Sequence, residues 1–293
     1  MIDSLKKIAA MFRAKHWIKN LFIFAPLLFS GCFLKNTEFL RTLTAFSGFC
    51  LITSGVYILN DFFDKEIDKL HPQKKYRYFV SHNTNIKTVL LLGLLLFLTG
   101  LVLCSTINRA TALLALAYIF LNIFYATFLK NIPFIEIFSI VLGFLLRIWI
   151  GSTAANVLPS FLIQACILFL ALFLVFTKRR YELLVLKEES SLHRPVLKYY
   201  NVNMFDQLIL GSFVCAIIFY VSYILKISSS LAQHTHHNII YSLIFVVYGM
   251  ARYLYLVYIK KMGDDPCEVI LSDKWLLVNI LLWLSFNFLV LYF

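Results

Sequence analysis

Asn60-Asp61-Phe62-Phe63-Asp64-Lys65-Glu66-Ile67-Asp68 closes a long apolar stretch, residues 42–60, and runs directly into Lys69-Leu70-His71-Pro72-Gln73-Lys74-Lys75-Tyr76-Arg77. Four acids crowd into this short run, where apolar sequence otherwise dominates. A carboxylate taken out of water without a partner costs several kcal/mol or takes up a proton. On one helix Asp61, Asp64 and Asp68 fall at i, i+3 and i+7 and share a face. Like charges at such spacings repel by a few tenths of a kcal/mol per pair. The stripe therefore calls for a cation.

The surrounding chain decides what kind of protein carries this stripe. It is 61% hydrophobic and only 14% charged, with 29 Phe among 293 residues and a mean hydropathy of +0.81. That composition excludes a soluble globular domain and reads as a polytopic membrane protein. Apolar stretches at 20–34, 42–60, 86–104, 110–128, 132–151, 160–177, 207–226, 239–258 and 274–292 predict nine transmembrane helices, most near the ~20 residues that a bilayer requires. The first is short and contains Pro26. Residues 2–19 carry Ile2, Leu5, Ile8, Ala9 and Phe12 on one helical face and read as an interfacial amphipathic helix. The basic run up to Lys19, with no small-residue cleavage site after it, argues against a cleaved signal peptide. The expected fold is an all-α integral membrane protein, a single domain over 1–293.

Charge sets the orientation. With the N-terminus inside, the cytoplasmic segments 1–20, 61–87, 129–131, 178–206 and 259–274 hold 21 of the 27 Lys and Arg, a bias strong enough to fix topology. The acids follow it, which topology does not require: of fifteen, Glu38 alone falls in an outer loop and Glu136 lies near the inner end of a span. Clusters of both signs on one face fit a metal–polyanion complex better than nucleic acid, so the net charge of +12 is not read as a nucleic-acid signal. Six scattered Cys without a CxxC pair read as packing residues. Two loops, 61–85 and 178–206, are expected to carry the chemistry.

Four groups carry it. Asn60, Asp61, Asp64 and Asp68 offer hard oxygens suited to Mg²⁺, which binds through one or two carboxylates plus substrate phosphates; the bland alternative is a solvated loop helix with Lys65 and Lys69 as partners. His71, Lys74, Lys75 and Arg77 suit phosphate contacts, although inside-positive topology wants lysines there anyway. Lys178-Arg179-Arg180-Tyr181-Glu182 ends the sixth span, with three cations pointing three ways. Tyr125 and Lys130 form a smaller set at the end of the fourth. Gly263-Asp264-Asp265-Pro266 with Glu268 and Asp273 reads equally as a capped turn or as a second acidic site. Arg147 and Arg252 lie within spans and are candidates because intramembrane charge is rarely idle.

With these residues in view, Asn60–Asp68 resembles the first aspartate-rich motif, NDxxDxxxD, of the UbiA superfamily of intramembrane prenyltransferases. The resemblance implies a nine-helix bundle with a cytoplasm-facing site that holds Mg²⁺ and a pyrophosphate. One branch, the decaprenyl-phosphate phosphoribosyltransferases, is similar nearly end to end. The matching strings are Arg13-x-Lys15-His16-Trp17-x-Lys19-Asn20, Leu70-His71-Pro72-x-Lys74-Lys75-Tyr76-Arg77, Leu129-Lys130-Asn131-x-Pro133, Gly143-Phe144-x-Leu146-Arg147, Lys178-Arg179-Arg180-x-Glu182 and Gly263-Asp264-x-Pro266-x-Glu268. Aromatic prenyltransferases of the superfamily carry a second DxxxD-type motif where this chain has KRRxE. Tyr78 departs from the branch, which often has Pro there.

The branch implies transfer of the 5-phosphoribosyl group of phosphoribosyl pyrophosphate to a polyprenyl phosphate, in a bacterial inner membrane and toward cell-envelope synthesis. It also implies roles. Asp61, Asp64 and Asp68 would bind Mg²⁺, with Asn60 orienting the pyrophosphate. Lys19, Lys74, Arg77 and Lys130 would contact phosphates, with Tyr125 and Arg147 beside them. Lys178, Arg179 and Arg180 would hold the 5-phosphate or the lipid phosphate, and Glu182 would contact ribose or metal. The alternative is prenyl transfer from a prenyl pyrophosphate to an aromatic acceptor. A transporter of an anionic solute fits less well, because the acids crowd one face and not the midplane. Polyprenyl chain length and a homo-oligomeric state stay open.

Overall fold

The computed structural model describes residues 11–70, 78–81, 85–186, 195–230, 234–263 and 265–293. Every element among them is helical. The long helices are α1 (Asn36–Phe63), α2 (Ile86–Ser105), α3 (Arg109–Thr127), α4 (Ile135–Ala155), α5 (Phe161–Leu186), α6 (Val202–Ser230), α7 (Ser242–Tyr258) and α8 (Lys274–Tyr292). Among the described residues eight helical segments, α7 being counted with the turn before it, are long and apolar enough to cross a membrane.

The first expected span, 20–34, is built differently. Ala14–Phe24 is a 3₁₀ helix that passes into a short α-helix, Ala25–Phe29, with Pro26 in its first turn. Its contacts run antiparallel to α1: Trp17 Nε1 donates to Ser54 Oγ at 3.0 Å, Asn20 Nδ2 to Thr53 Oγ1 at 3.0 Å, and the Phe24 ring lies 5.4 Å from that of Phe46. A 3₁₀ helix rises about 2 Å per residue against about 1.5 Å for an α-helix, so few residues cover a long distance. Residues 14–19, expected to be amphipathic and interfacial, belong to this strap along α1; residues 1–10 of that expectation lie outside the described residues.

Contacts group the chain into two compact units, a subdivision that the sequence does not mark: residues 1–139 with 146–158, and 140–145 with 159–293. In the first unit α1 is the most enclosed of α1–α3, its apolar window 61% buried against 28% for α2 and 22% for α3. Gly48 of α1 faces Gly100 of α2 so closely that a Cβ on Gly100 would come within 2.6 Å of the Gly48 carbonyl oxygen. Small residues let helix backbones approach where lipid offers no hydrophobic drive. Phe49, Ile52 and Val56 of α1 meet Cys104, Ala115, Tyr118, Leu146, Ile150 and Ile23 in one buried cluster.

In the second unit α5 and α6 pack antiparallel through Phe169–Phe219, stacked at 5.4 Å, and Phe173–Phe213 at 6.2 Å. Asn279 Nδ2 on α8 donates to the Phe245 carbonyl on α7 at 2.9 Å. Arg252 of α7 bonds Asp273, the N-cap of α8, at 2.7 and 3.2 Å. That pair gives the intramembrane Arg252 a structural partner.

Two expectations about loops change. The segment 178–206 is not a loop at its start, because α5 continues to Leu186. No Gly or Pro interrupts Phe161–Leu186, and Arg179 and Glu182 pair across one turn, so the helix outlasts its apolar stretch. The 61–85 segment likewise begins with the last residues of α1 and a short helix, Lys65–Leu70.

Candidate functional site

The aspartates stand at the end of α1. Asp64 leaves the helix at φ −90°, ψ 5°, in the bridge region, and Lys65–Leu70 follows as a separate turn. The single helical face expected for Asp61, Asp64 and Asp68 is therefore bent at its middle member. Asp61 and Asp68 are nonetheless buried, at 3% and 4% exposure. The first unit brings two cations to these aspartates, one to buried Asp61 and one to half-exposed Asp64. The Arg13 guanidinium bonds Asp61, and Lys130 Nζ lies 2.7 Å from Asp64 Oδ1. Arg13 also lies over the Tyr57 ring, 5.1 Å from its centre, one turn before Asp61. Lys130 is carried there by the 3₁₀ turn Leu129–Asn131 that follows α3, with Tyr125 in the last turn of that helix.

Glu66 stays out of this cluster. It pairs locally with Lys69 at 2.7 Å on the exposed side, and that hydrogen bond holds its carboxyl below the ordinary value. Three aspartates with hard oxygens, two of them buried and two of them met by cations, make a donor set that fits Mg²⁺. Asn60, whose carbonyl accepts the Asp64 N–H, stands beside them.

Arg147 takes a different place. It is 4% exposed, its Nε donates to Asn20 Oδ1 at 3.0 Å and its Nη2 to Tyr118 OH at 3.1 Å, with the Phe49 ring 5.2 Å away. Asn20 in turn bonds Thr53 and Cys50. Thr53 precedes Asp61 by eight residues, about 12 Å along α1. The structure thus puts Arg147 deeper than the aspartates, tying α4 to the strap. Lys19 is half-buried on that strap.

The second unit holds the basic motif. Arg179 is buried at 1% exposure and its Nη1 donates to Glu182 Oε2 at 2.5 Å. Arg180 Nε donates to Asp206 Oδ1 at 2.5 Å and the guanidinium stacks 4.0 Å over the Tyr258 ring, while Tyr258 OH donates to the same Asp206 oxygen. Arg180 therefore joins the ends of α5 and α7 to the start of α6. Lys178 is half-buried and makes no ion pair among the described residues. Gly263 packs its backbone on Tyr181, where a Cβ would come within 2.8 Å of the Tyr181 Cβ. Asp265 caps the helix Pro266–Ser272 by accepting from the Cys267 N–H at 3.0 Å, and Glu268 is exposed on that helix.

The structure thus brings Asp61, Asp64, Asp68, Asn60 and Lys130 together in one unit, and Lys178, Arg179, Arg180 and Glu182 in the other. Lys74 and Arg77 lie outside the described residues. Sequence reasoning missed Arg13, Asn20, Asp206 and Tyr258 as members. Arg13 and Asn20 stood inside a motif string, but their partners are 48 and 127 residues away. Asp206 and Tyr258 carried no signal.

Comparison with known proteins bears on the family and the fold. The sequence pattern of the UbiA prenyltransferase family matches residues 23–280. A decaprenyl-phosphate phosphoribosyltransferase of Corynebacterium glutamicum is 29% identical over 279 residues, covering 92% of this chain and 82% of the relative. The nodulation protein NoeC of Azorhizobium caulinodans is 30% identical over 183 residues, 61% of this chain and 58% of the relative, so the match spans under two thirds of that protein. Among solved structures, a UbiA homologue from Archaeoglobus fulgidus bound to DMAPP and Mg²⁺ superposes with a TM-score of 0.72 at 15% identity, over 97% of this chain and 99% of that one.

Proposed function

Because the chain belongs to the UbiA prenyltransferase family, we propose that it is a membrane transferase that moves a 5-phosphoribosyl group from phosphoribosyl pyrophosphate to a polyprenyl phosphate. The observation that carries the donor is the state of the second polar cluster. Among its described residues Glu182 pairs through one oxygen with Arg179 and Asp206 with Arg180, which leaves Lys178 as a cation for a phosphate. The similarity to the C. glutamicum phosphoribosyltransferase over 92% of the chain supports the same reading.

The residues then divide the work. Asp61, Asp64 and Asp68 hold Mg²⁺, with Asn60 orienting the pyrophosphate. Bound there, the ion would neutralise charge on the leaving pyrophosphate. Lys130, Lys19, Lys74 and Arg77 contact phosphate oxygens. Lys178 takes the 5-phosphate or the lipid phosphate, while Arg179, Arg180 and Glu182 fix the helix end that presents it. Tyr125 contacts the substrate beside Lys130, and Arg147 holds the strap.

In the reaction the C1–O bond to pyrophosphate breaks and its electron pair leaves with the pyrophosphate, while an oxygen of the lipid phosphate bonds to C1. That oxygen is already ionised, so no strong general base is needed and positioning dominates. The site faces the cytoplasm of the inner membrane under the inside-positive orientation.

The test is purified protein with labelled phosphoribosyl pyrophosphate and a polyprenyl phosphate, against dimethylallyl or geranyl pyrophosphate with 4-hydroxybenzoate. Labelled lipid in the first arm is expected. Product in the second arm alone would replace this reading by aromatic prenylation.

A further inference from the structure

We propose that Arg13 and Lys130 are resident counter-cations of the aspartate cluster: they hold Asp61 and Asp64 in the resting protein and pass to phosphate oxygens when a metal–diphosphate complex binds. The inference rests on the reading of Asp61, Asp64 and Asp68 as the Mg²⁺–pyrophosphate site.

Several observations point the same way. Neither cation is a helical neighbour of its aspartate; they are 48 and 66 residues away in sequence, so tertiary structure delivers them. The Arg13–Asp61 pair is enclosed, with side chains 14% and 5% exposed, and Lys130–Asp64 is half-enclosed at 25% and 33%. Arg13 reaches Asp61 from a left-handed backbone, φ 51° and ψ 44°, which a side chain other than Gly adopts at a cost. Such strain persists only where surroundings enforce it. Tyr57 under the guanidinium and the Ser54 hydroxyl bonded to the Phe12 carbonyl do so here.

Competition follows from charge. A divalent cation alone must pull Asp61 and Asp64 away from Arg13 and Lys130, and so strand the enclosed Arg13 without an anion, the costly half of a broken buried pair, and leave half-exposed Lys130 without its partner at a smaller cost. A diphosphate removes that cost, because its oxygens give Arg a bidentate partner and Lys a point contact. Metal and diphosphate should therefore bind cooperatively, each raising the affinity of the other by the same factor. Arg13, a residue with no other assignment, thus joins Lys130 in suppressing binding of metal alone.

Mn²⁺ binding to the purified full-length protein, by calorimetry with and without inorganic pyrophosphate, tests this without turnover. Wild type should bind Mn²⁺ weakly alone and at least about tenfold more tightly with pyrophosphate. Arg13→Gln should tighten Mn²⁺ alone and shrink the pyrophosphate effect at least about threefold. Lys130→Gln should act in the same direction and serves if the Arg13 variant does not fold. Lys69→Gln removes an equal charge from the neighbouring turn without touching Asp61 or Asp64, and should leave the coupling as in wild type. Unchanged coupling in both cation variants, or the same loss in Lys69→Gln, would overturn the proposal. Wild-type Mn²⁺ binding in Asp61→Asn would instead overturn the metal reading beneath it.

Discussion

Gly151 offers a sharp test of how the strap is seated, because helix propensity and packing predict opposite signs. An added Cβ at Gly151 would stand 2.0 Å from the Ile23 carbonyl oxygen, 2.8 Å from its carbon and 3.1 Å from its Cα. All three are backbone atoms, so no side-chain rotation relieves the clash. The strap and α4 must separate by about 1 Å, an overpacking cost of about 1–3 kcal/mol. The same movement loosens the 3.0 Å bond from Arg147 to Asn20, worth about 1.5 kcal/mol as a bond to a charged group. Against this, Gly→Ala within a helix gains about 1 kcal/mol. The net expectation for Gly151→Ala is a loss of about 1.5–3.5 kcal/mol. Gly211, in α6, is the control: a Cβ there meets nothing within 4 Å, so Gly211→Ala should gain about 0.5–1 kcal/mol. Thermal unfolding in one detergent compares the two. A Gly151→Ala protein as stable as Gly211→Ala would refute the seating of the strap on α4.

Asp64→Asn should abolish turnover while leaving the melting temperature close to wild type, since Asp64 is half-exposed; retained turnover would remove it from the metal set. Lys178→Gln should raise KM for the anionic substrates without loss of stability. Arg180→Gln should instead lower stability by about 1–2 kcal/mol, because Asp206 and Tyr258 lose their partner; equal effects on KM and melting in the two variants would contradict the division between them. Asp273 is held below its ordinary value of 3.8 chiefly by the hydrogen bond from Arg252. A depressed folded value means that the clamp between α7 and α8 is fully present above about pH 4 and is lost as pH falls through the lower folded value. Acid unfolding of Asp273→Asn should accordingly lack that component, which a wild-type acid profile in the variant would disprove.

Much of the architecture is written locally. Apolar runs of span length, broken by Pro, Asn and charged residues, located seven of the eight long helices to within about six residues at each end. The exception is α5, which runs on to Leu186. Its extra turns depend on burying Arg179 against Glu182 and on anchoring Arg180 to Asp206 and Tyr258, which hydropathy does not register. The form of the strap is illegible for a related reason. Its apolar content resembles a short span, but its 3₁₀ path comes from lying against α1 and under Gly151.

The chain's own order of residues determined the class of protein, its membrane segments and the presence of an acidic stripe beside basic strings, since all of these follow from composition, period and local spacing. Tertiary structure alone decided how the charges are used. Which of Lys178, Arg179 and Arg180 is committed depends on Asp206 and Tyr258, on other helices. That Asp61 and Asp64 are met by Arg13 and Lys130 depends on contacts across 48 and 66 residues. A carboxylate's partner is set by distance in space, and no local pattern carries that distance.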